Sequence, residues 1–187
     1  MRTLVLIGPA AVGKSTVGEV LGALLCVPFV DLDEVAAAYY EECDAPVAAL
    51  IERAHAIGFL AALRWWQPAR AHAALRVVVE HPGSVIAFGA GHSHFEDDEF
   101  ATTVRGALTE ATVVLLSAHP DDDAAVAVLR QRCVDERGED QDWVIEGVDL
   151  LRAWVQSPQN HRLADLTIVT HGLTPQEVAE AIVAAID

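Results

Sequence analysis

The residues with the clearest chemical signal run from Gly8 to Ser15 and read GPAAVGKS. They fit the pattern GxxxxGK[ST], in which backbone N–H groups turn inward around phosphate oxygens. In this pattern Lys14 reaches the outer phosphates of a nucleotide, and the hydroxyl of Ser15 is a ligand of Mg²⁺. Lys14 is the only lysine in the chain, which fits a position that needs a compact ammonium group. The segment therefore predicts a site for nucleotide phosphates.

The flanking residues favour the same interpretation. An apolar run, residues 3–7, leads into the loop, and apolar residues at helical spacing follow it, among them Val17, Leu21 and Leu24. A strand that ends in such a loop and continues as a helix brings the positive end of the helix dipole to the phosphates. The alternative is a glycine-rich turn that matches by accident. The combination of strand, helix and single lysine argues against that alternative.

Two aspartates, Asp31 and Asp33, close the second apolar run of the chain. Alternate residues of a strand face the same side, and the carboxyl ends of parallel strands border the ligand crevice of such sheets. One carboxylate can hold the water shell of Mg²⁺, and the other can accept the proton of an attacking hydroxyl. The alternative interpretation is that the pair caps a helix that begins near Glu34.

A second glycine turn, at Gly89 and Gly91, follows the third apolar run and continues into His92 and His94. Such a turn can bring backbone amides close to an acceptor molecule. The two histidines have the spacing of metal ligands, but no third ligand is apparent, and phosphate chemistry prefers Mg²⁺ bound through oxygen. We therefore expect a polar pocket wall rather than a zinc site.

The apolar runs alternate with helical segments along the whole chain. The runs are short and nearly continuous, which is typical of parallel strands that are buried on both faces. The predicted strands cover residues 3–7, 28–32, 84–88, 112–117 and 166–170. The predicted helices cover residues 14–26, 45–63, 66–79, 121–134, 142–155 and 174–186, the last opened by a capping box of Thr174 and Glu177. The segments 45–63 and 66–79 could form two helices or one helix that is kinked at Pro68. We infer one domain, residues 1–187, of the three-layer α/β/α class.

Composition restricts the partners. The 187 residues include 28 acidic and 12 basic side chains, for a formal charge of −16. Such a surface repels nucleic acid and anionic lipid, so we expect neither as a partner. The apolar run after Met1 is too short for a membrane span or a signal peptide, and the three cysteines show no paired spacing. These features predict a cytoplasmic protein, a monomer or weak dimer.

Three blocks of the sequence resemble the shikimate kinase family of P-loop proteins: GPAAVGKSTVGEVLGALLCVPFVDLDEV, VIAFGAG and ADLTIVTHGLTPQEVAEAI. The resemblance covers most of the chain, and its first block is the most specific. It implies a five-stranded parallel sheet in the order 2-3-1-4-5, with ATP and Mg²⁺ as cofactors. It also implies a lid at about 130–145 and an acceptor-binding helical segment at about 34–80.

The resemblance further implies roles for individual residues. The catalytic residues would be Lys14, Asp33 and Arg137, and the metal would be held by Ser15 and Asp31. The nucleotide would be bound by Gly8, Ala11, Gly13, Lys14, Ser15, Thr16, Arg130, His171 and Pro175. The acceptor would be bound by Asp33, Arg70, Gly89, Ala90 and Gly91, with Arg64 as a rival for the role of Arg70.

This sequence departs from the family pattern at three places. The lid reads Arg-Gly-Glu-Asp from Arg137, Gln156 stands where the family has an arginine for the acceptor carboxylate, and Ala90 replaces a glycine. Loss of a charged partner weakens the binding of a buried carboxylate. We therefore expect an acceptor that is less anionic than shikimate. Four tryptophans either fill the core or border a larger acceptor ring, such as a sugar derivative or natural product: Trp65, Trp66, Trp143 and Trp154.

The leading hypothesis is a kinase that transfers the γ-phosphoryl group of Mg·ATP to a hydroxyl group of a small molecule. A second hypothesis is a nucleotide-dependent ATPase or switch that acts through a protein partner. A third hypothesis is a degenerate relative that binds nucleotide and catalyses nothing. The altered lid is the sequence feature that supports this hypothesis.

Overall fold

Five apolar segments pair in parallel to form the central sheet of the computed structural model, which describes residues 2–137 and 142–186 without the side chains of Glu136 and Arg137. The strands are β1 (Leu4–Ile7), β2 (Phe29–Asp31), β3 (Val85–Ala87), β4 (Thr112–Ser117) and β7 (Leu166–Val169). Their order is β2-β3-β1-β4-β7. The predicted order 2-3-1-4-5 is therefore confirmed, with β7 as the fifth strand, because a hairpin of β5 (Val144–Ile145) and β6 (Val148–Asp149) intervenes.

Helices cover both faces of the sheet. They are α1 (Lys14–Leu25), α2 (Leu32–Glu41), α3 (Val47–Ile57), α4 (Phe59–Trp65), α5 (Gln67–Glu80), α6 (Asp98–Ala107), α7 (Asp122–Arg137), α8 (Leu150–Val155), α9 (Pro158–Leu163) and α10 (Pro175–Ile186). One apolar cluster joins the sheet to α2 through α6, and the other joins it to α1, α7, α8 and α10. The predicted three-layer α/β/α class is confirmed, because strands buried on both faces need a helical layer on each.

Several predictions about helices were wrong or incomplete. Residues 142–155 do not form one helix, because Glu146 and Gly147 adopt positive φ angles of 52° and 80° and turn the chain into the β5–β6 hairpin. The predicted helix over 45–63 is interrupted at Gly58, whose φ is 90°. Two helices, α6 and α9, were not predicted, and α2 corresponds to the helix near Glu34 that the capping interpretation of the aspartate pair proposed.

The capping box at the start of α10 is present as predicted. The backbone N–H and the hydroxyl of Thr174 both donate to the Glu177 carboxylate over 2.8 Å, and the Glu177 N–H donates back to the Thr174 hydroxyl over 3.3 Å. These bonds also hold the pKa of Glu177 below its ordinary value. The box fixes the final helix against the sheet, where Val178 and Ile182 are buried.

Removing this cap gives a test of the fold. Thr174→Ala is expected to lower the free energy of unfolding by about 1 kcal/mol, whereas Thr174→Ser retains the hydroxyl and should remain close to wild type. Because the pKa of Glu177 is depressed in the fold, its contribution is present above the unfolded-state pKa and is lost as the pH falls through the folded value. Urea denaturation at pH 7 and pH 3 measures both effects. Equal stability of the three proteins at pH 7 would contradict the cap.

Candidate active site

The loop between β1 and α1 is shaped by backbone angles that only small residues accept without strain. Gly8 and Gly13 have φ angles of 139° and 99°, and Ala11 has a φ of 57°. A Cβ atom at Gly8 would lie 2.6 Å from the carbonyl oxygen of Leu116, so a larger residue would push the loop away from β4. The loop therefore keeps its turn and its contact with the sheet.

Lys14 lies at the start of α1 with its side chain buried inside this loop. Its Nζ donates to the carbonyl oxygens of Gly8 and Pro9 over 3.0 and 2.7 Å. Burial lowers the pKa of Lys14 to about 8, and the nearby carboxylates of Asp33 and Asp31 partly oppose this shift. The ammonium group therefore lies beside the loop, where an anionic phosphate would stabilise its charged form.

One cavity of about 660 Å³ lies against the loop and extends to the helices of residues 34–80. Its phosphate-loop side is lined by Ala10, Ala11, Gly13, Lys14, Ser15 and Thr16. Its far wall is largely apolar and includes Val47, Leu50, Phe59, Leu60, Leu63, Trp66 and Phe88. The β5–β6 hairpin also reaches this wall, because the Glu146 carboxylate accepts a hydrogen bond of 2.5 Å from the Phe59 N–H. The volume of the cavity lies within the range of sites that bind small molecules and cofactors.

The aspartate pair of the second strand lies in this cavity, with a different task for each residue. Asp31 caps α2, since its Oδ1 accepts a hydrogen bond of 3.0 Å from the Asp33 N–H. The capping interpretation is therefore correct for Asp31, and both carboxylates still line the cavity. Asp33 lies against Gly89, where a Cβ atom would come within 2.1 Å of its Oδ1. The absent side chain of Gly89 leaves room for the carboxylate.

The oxygen atoms at this end of the cavity fit Mg²⁺. The hydroxyl of Ser15 and the carboxylate of Asp31 are hard oxygen ligands beside the phosphate loop. Within residues 2–137 and 142–186, no group of three or more His, Cys, Asp and Glu side chains could hold a metal. A Mg²⁺ site needs few protein ligands when water and nucleotide phosphate supply most of the ligands. His92 and His94 both line the cavity.

The structure brings Arg70, and not Arg64, into the cavity. The Arg70 guanidinium donates to the carbonyl oxygens of Gly91, His94 (3.3 Å) and Leu63 (3.4 Å). Its burial lowers the pKa of Arg70 to about 10, so that the group stays charged at neutral pH. Arg64 is 64% exposed and pairs with Glu96 over 2.5 Å.

The arginines in and beside the predicted lid differ in their contacts with the phosphate loop. Arg130 donates to the Asp142 carbonyl (2.8 Å) and the Asp149 carboxylate (2.6 Å), which ties α7 to the hairpin. Arg132, which was not singled out from the sequence, donates to the carbonyl of Ala11 in the loop over 3.2 Å. The side chain of Arg137 lies outside the described part of the chain, as do residues 138–141 of the predicted lid.

The predicted adenine-side loop is exposed. His171 and Pro175 do not line the large cavity. The ring of His171 packs edge-on against His119, with a centroid distance of 4.7 Å. Of the four tryptophans, Trp66, Trp143 and Trp154 line the cavity, whereas Trp65 packs under the guanidinium of Arg53. A further cavity residue, Tyr40, gave no signal in the sequence.

A parallel sheet in which β1 leads into this loop and the loop leads into a helix defines the class of P-loop nucleotide-binding proteins. A family model described as Shikimate kinase matches residues 10–187. Shikimate kinase of Vibrio cholerae is 27% identical over 184 residues, which cover 97% of this chain and 93% of the relative. The chain belongs to the shikimate kinase family, and it is an ATP-dependent kinase that phosphorylates a hydroxyl group.

Solved structures show the same fold. A shikimate kinase from Acinetobacter baumannii in complex with shikimate has a TM-score of 0.67 at 20% identity, covering 100% of this chain and 93% of that chain. A shikimate kinase from Aquifex aeolicus has a TM-score of 0.62 at 19% identity, covering 98% and 95%. A gluconokinase from Sinorhizobium meliloti has a TM-score of 0.52 at 16% identity, covering 99% and 93%. Within the described residues, no helix is both long and apolar enough to cross a bilayer.

Proposed function

We propose that this protein transfers the γ-phosphoryl group of Mg·ATP to a hydroxyl group of an uncharged small molecule, such as a sugar derivative or natural product. One observation carries the proposal: a single cavity joins the phosphate loop, through Lys14 and Asp33, to an apolar wall of the acceptor-binding segment. The phosphate loop positions the nucleotide at one end. The apolar wall at the other end would bury part of the surface of the acceptor.

The reaction is an in-line displacement at the γ-phosphorus. The acceptor's hydroxyl oxygen forms a bond to this phosphorus, and the bond from the phosphorus to the β–γ bridging oxygen breaks. Asp33 takes the proton of the hydroxyl, and ADP leaves with the electron pair of the broken bond. Lys14 stabilises the negative charge that develops on the phosphate oxygens.

Other residues of the site hold the nucleotide and its metal. The Ser15 hydroxyl and the Asp31 carboxylate would hold Mg²⁺, which would supply positive charge to neutralise the nucleotide phosphates. We assign the backbone of the phosphate loop to the phosphates and the segment of His171 and Pro175 to the adenine side. Arg130 and Arg137 are assigned to the nucleotide from the lid, and for Arg130 this requires release from the carboxylate of Asp149.

The acceptor side of the cavity favours a molecule without a carboxylate. Among the residues known to line the cavity, Arg70 is the only cation besides Lys14, and three backbone carbonyls already accept its hydrogen bonds. Asp33 and Glu96 add negative charge to the same region. Gln156 contacts Asp122 over 3.3 Å and does not line the cavity. Together with the aromatic walls, these features support a neutral ring compound such as a sugar derivative or natural product.

A matched pair of acceptors tests this proposal. ADP release would be followed with shikimate and with its methyl ester, alongside neutral sugars, nucleosides and hydroxyl-bearing natural products, each with and without protein. We expect the ester to give a higher kcat/KM than the acid, and a neutral ring compound to give the highest. A clear preference for shikimate over its ester would contradict the acceptor class. ADP release that no acceptor stimulates would contradict phosphoryl transfer to a hydroxyl.

A further inference from the structure

Two polar side chains that have no role in the mechanism above meet at the floor of the acceptor side. Tyr40 lies on α2, and His92 lies in the 3₁₀ turn Ala90–His92 that follows β3. Both are almost fully buried, with 5% and 4% of their surfaces exposed. The Tyr40 hydroxyl and the His92 Nε2 are 2.7 Å apart, and both residues line the cavity. A buried contact of this kind needs a defined position for its protons.

The surroundings fix which atoms carry those protons. Burial raises the pKa of Tyr40 far above its ordinary value, so the phenol keeps its proton. In the described part of the chain the hydroxyl has no other acceptor, so it donates to Nε2 of His92. Burial and the positive charges of Arg70 and Lys14 lower the pKa of His92 to about 3. A neutral imidazole whose Nε2 accepts a hydrogen bond carries its proton on Nδ1.

This Nδ1–H points toward the carboxylate of the proposed base. Nδ1 of His92 lies 3.8 Å from Oδ1 of Asp33, slightly beyond hydrogen-bond distance. Nδ1 is buried and makes no hydrogen bond of normal geometry with any described residue, although the backbone of Gly89 is close enough to the ring to oppose part of the fall in the pKa of His92. The Asp33 side chain is 68% exposed and therefore has room to rotate. A small rotation of the carboxylate would satisfy a donor that is costly to leave unpaired.

We propose that His92 is a positioning residue for phosphoryl transfer, and that its Nδ1–H holds one oxygen of Asp33 so that the other faces the acceptor hydroxyl. The proposal rests on the proposed role of Asp33 as the proton acceptor. Tyr40 acts one step further away, because its hydroxyl selects the tautomer of His92 that can donate at Nδ1. The groups that face His92 are Tyr40, Asp33, Lys14 and Arg70. The two cations keep the ring neutral, and the carboxylate of Asp33 accepts the hydrogen bond from Nδ1–H.

Three substitutions at His92 separate positioning from packing. In Asn the amide nitrogen is as many bonds from Cα as Nδ1 of histidine, so His92→Asn keeps a donor toward Asp33. His92→Gln carries its amide at the position of Nε2, and His92→Leu carries no donor. We expect the Gln and Leu variants to have a kcat about 10- to 100-fold lower than that of wild type. The kcat of the Asn variant should stay within about 3-fold of wild type. The KM for ATP should change by less than about 2-fold in all three variants.

Two kinetic results would overturn the proposal. One is a kcat in His92→Leu equal to that of wild type. The other is equal losses in the Asn and Leu variants with unchanged thermal stability, because a donor at Nδ1 would then make no difference. Tyr40→Phe, which removes the selection of the tautomer, should lower kcat by about 3- to 10-fold. An unchanged kcat in that variant would contradict the role of Tyr40.

A spectroscopic readout keeps this inference separate from the proposed function. Protein labelled with ¹⁵N-histidine reports the tautomer of each of its eight histidines, and the resonances that vanish in His92→Asn belong to His92. We expect a neutral ring protonated on Nδ1 throughout pH 5–8. A ring protonated on Nε2, or a charged ring at neutral pH, would overturn the proposal even if the protein proves an active kinase. If no acceptor is phosphorylated, the proposed function fails, and the tautomer is still decided.

Discussion

Replacing Lys14 by Met is expected to lower kcat by at least about 10²- to 10³-fold, because the side chain keeps its length but loses the charge that stabilises the transferring phosphoryl group. Lys14 is the buried cation that extends into the phosphate loop, with Nζ within 3.0 Å of two loop carbonyls. Lys14→Arg is a companion variant that tests shape, since it keeps the charge but not the compact form that fits the loop. We expect both variants to be nearly inactive. Turnover close to wild type in Lys14→Met would contradict the phosphate role.

The same substitution has a second expected effect, on stability. Burial lowers the pKa of Lys14 to about 8 in the fold, against an ordinary value of 10.5. Between these two pH values the unfolded chain binds more protons, so wild-type stability should rise with pH across that window. Below it, the buried charge costs the fold on the order of 1–3 kcal/mol. Lys14→Met lacks this cost and should be more stable than wild type at pH 7, and urea denaturation at pH 7 and pH 10 measures the difference. A less stable variant at pH 7 would contradict this account.

Asp33→Asn is expected to lower kcat by about 10²- to 10⁴-fold, because an amide cannot take the proton of the acceptor hydroxyl. The change keeps the shape of the side chain, and the proposed mechanism assigns Asp33 to the acceptor rather than to the nucleotide. Affinity for ATP, measured by calorimetry, should therefore change by no more than about 3-fold. Equal losses in turnover and in ATP affinity would place Asp33 on the nucleotide side and contradict the proposed role.

Gly89→Ala provides a companion variant that leaves the carboxylate chemically intact. Its Cβ atom would lie 2.1 Å from Oδ1 of Asp33, and it must displace the carboxylate from its place against the backbone. We expect a loss of kcat with unchanged ATP affinity, as in Asp33→Asn. Gly106→Ala is the control, because a Cβ atom at Gly106 meets no atom of the described residues within 4 Å. Gly106→Ala should keep full activity.

The sheet and the phosphate loop could be predicted because their signals are local. Strands buried on both faces are continuous apolar runs, and the loop is a contiguous pattern of small residues with one lysine. The β5–β6 hairpin could not be predicted in this way. Its strands have two residues each, too few for periodicity to show. The helix α2 was only an alternative interpretation of the sequence, because Asp31 both ends β2 and caps the helix.

The acceptor side of the site depends on contacts between distant residues, which periodicity does not encode. Tyr40 and His92 are separated by 52 positions and meet only through the packing of α2 against the turn after β3. The structure brings Arg70 rather than Arg64 into the cavity, because α5 points Arg70 to the carbonyls of the glycine turn. Arg132 follows Arg130 by two positions along α7, so the two side chains lie on different faces of the helix. No local pattern in the sequence therefore indicated that Arg132 contacts the phosphate loop.

The central claim, that the γ-phosphoryl group is transferred to a hydroxyl group, is tested most directly by ³¹P NMR of the product. The protein would be mixed with Mg·ATP and the acceptor that stimulates ADP release most, with Lys14→Met as the control. We predict a phosphate monoester resonance that grows in step with ADP and requires both the acceptor and Lys14. Release of inorganic phosphate without an ester would contradict the kinase and favour an ATPase or switch. ATP that stays intact with every acceptor, although it binds, would contradict the kinase and leave a protein that only binds nucleotide.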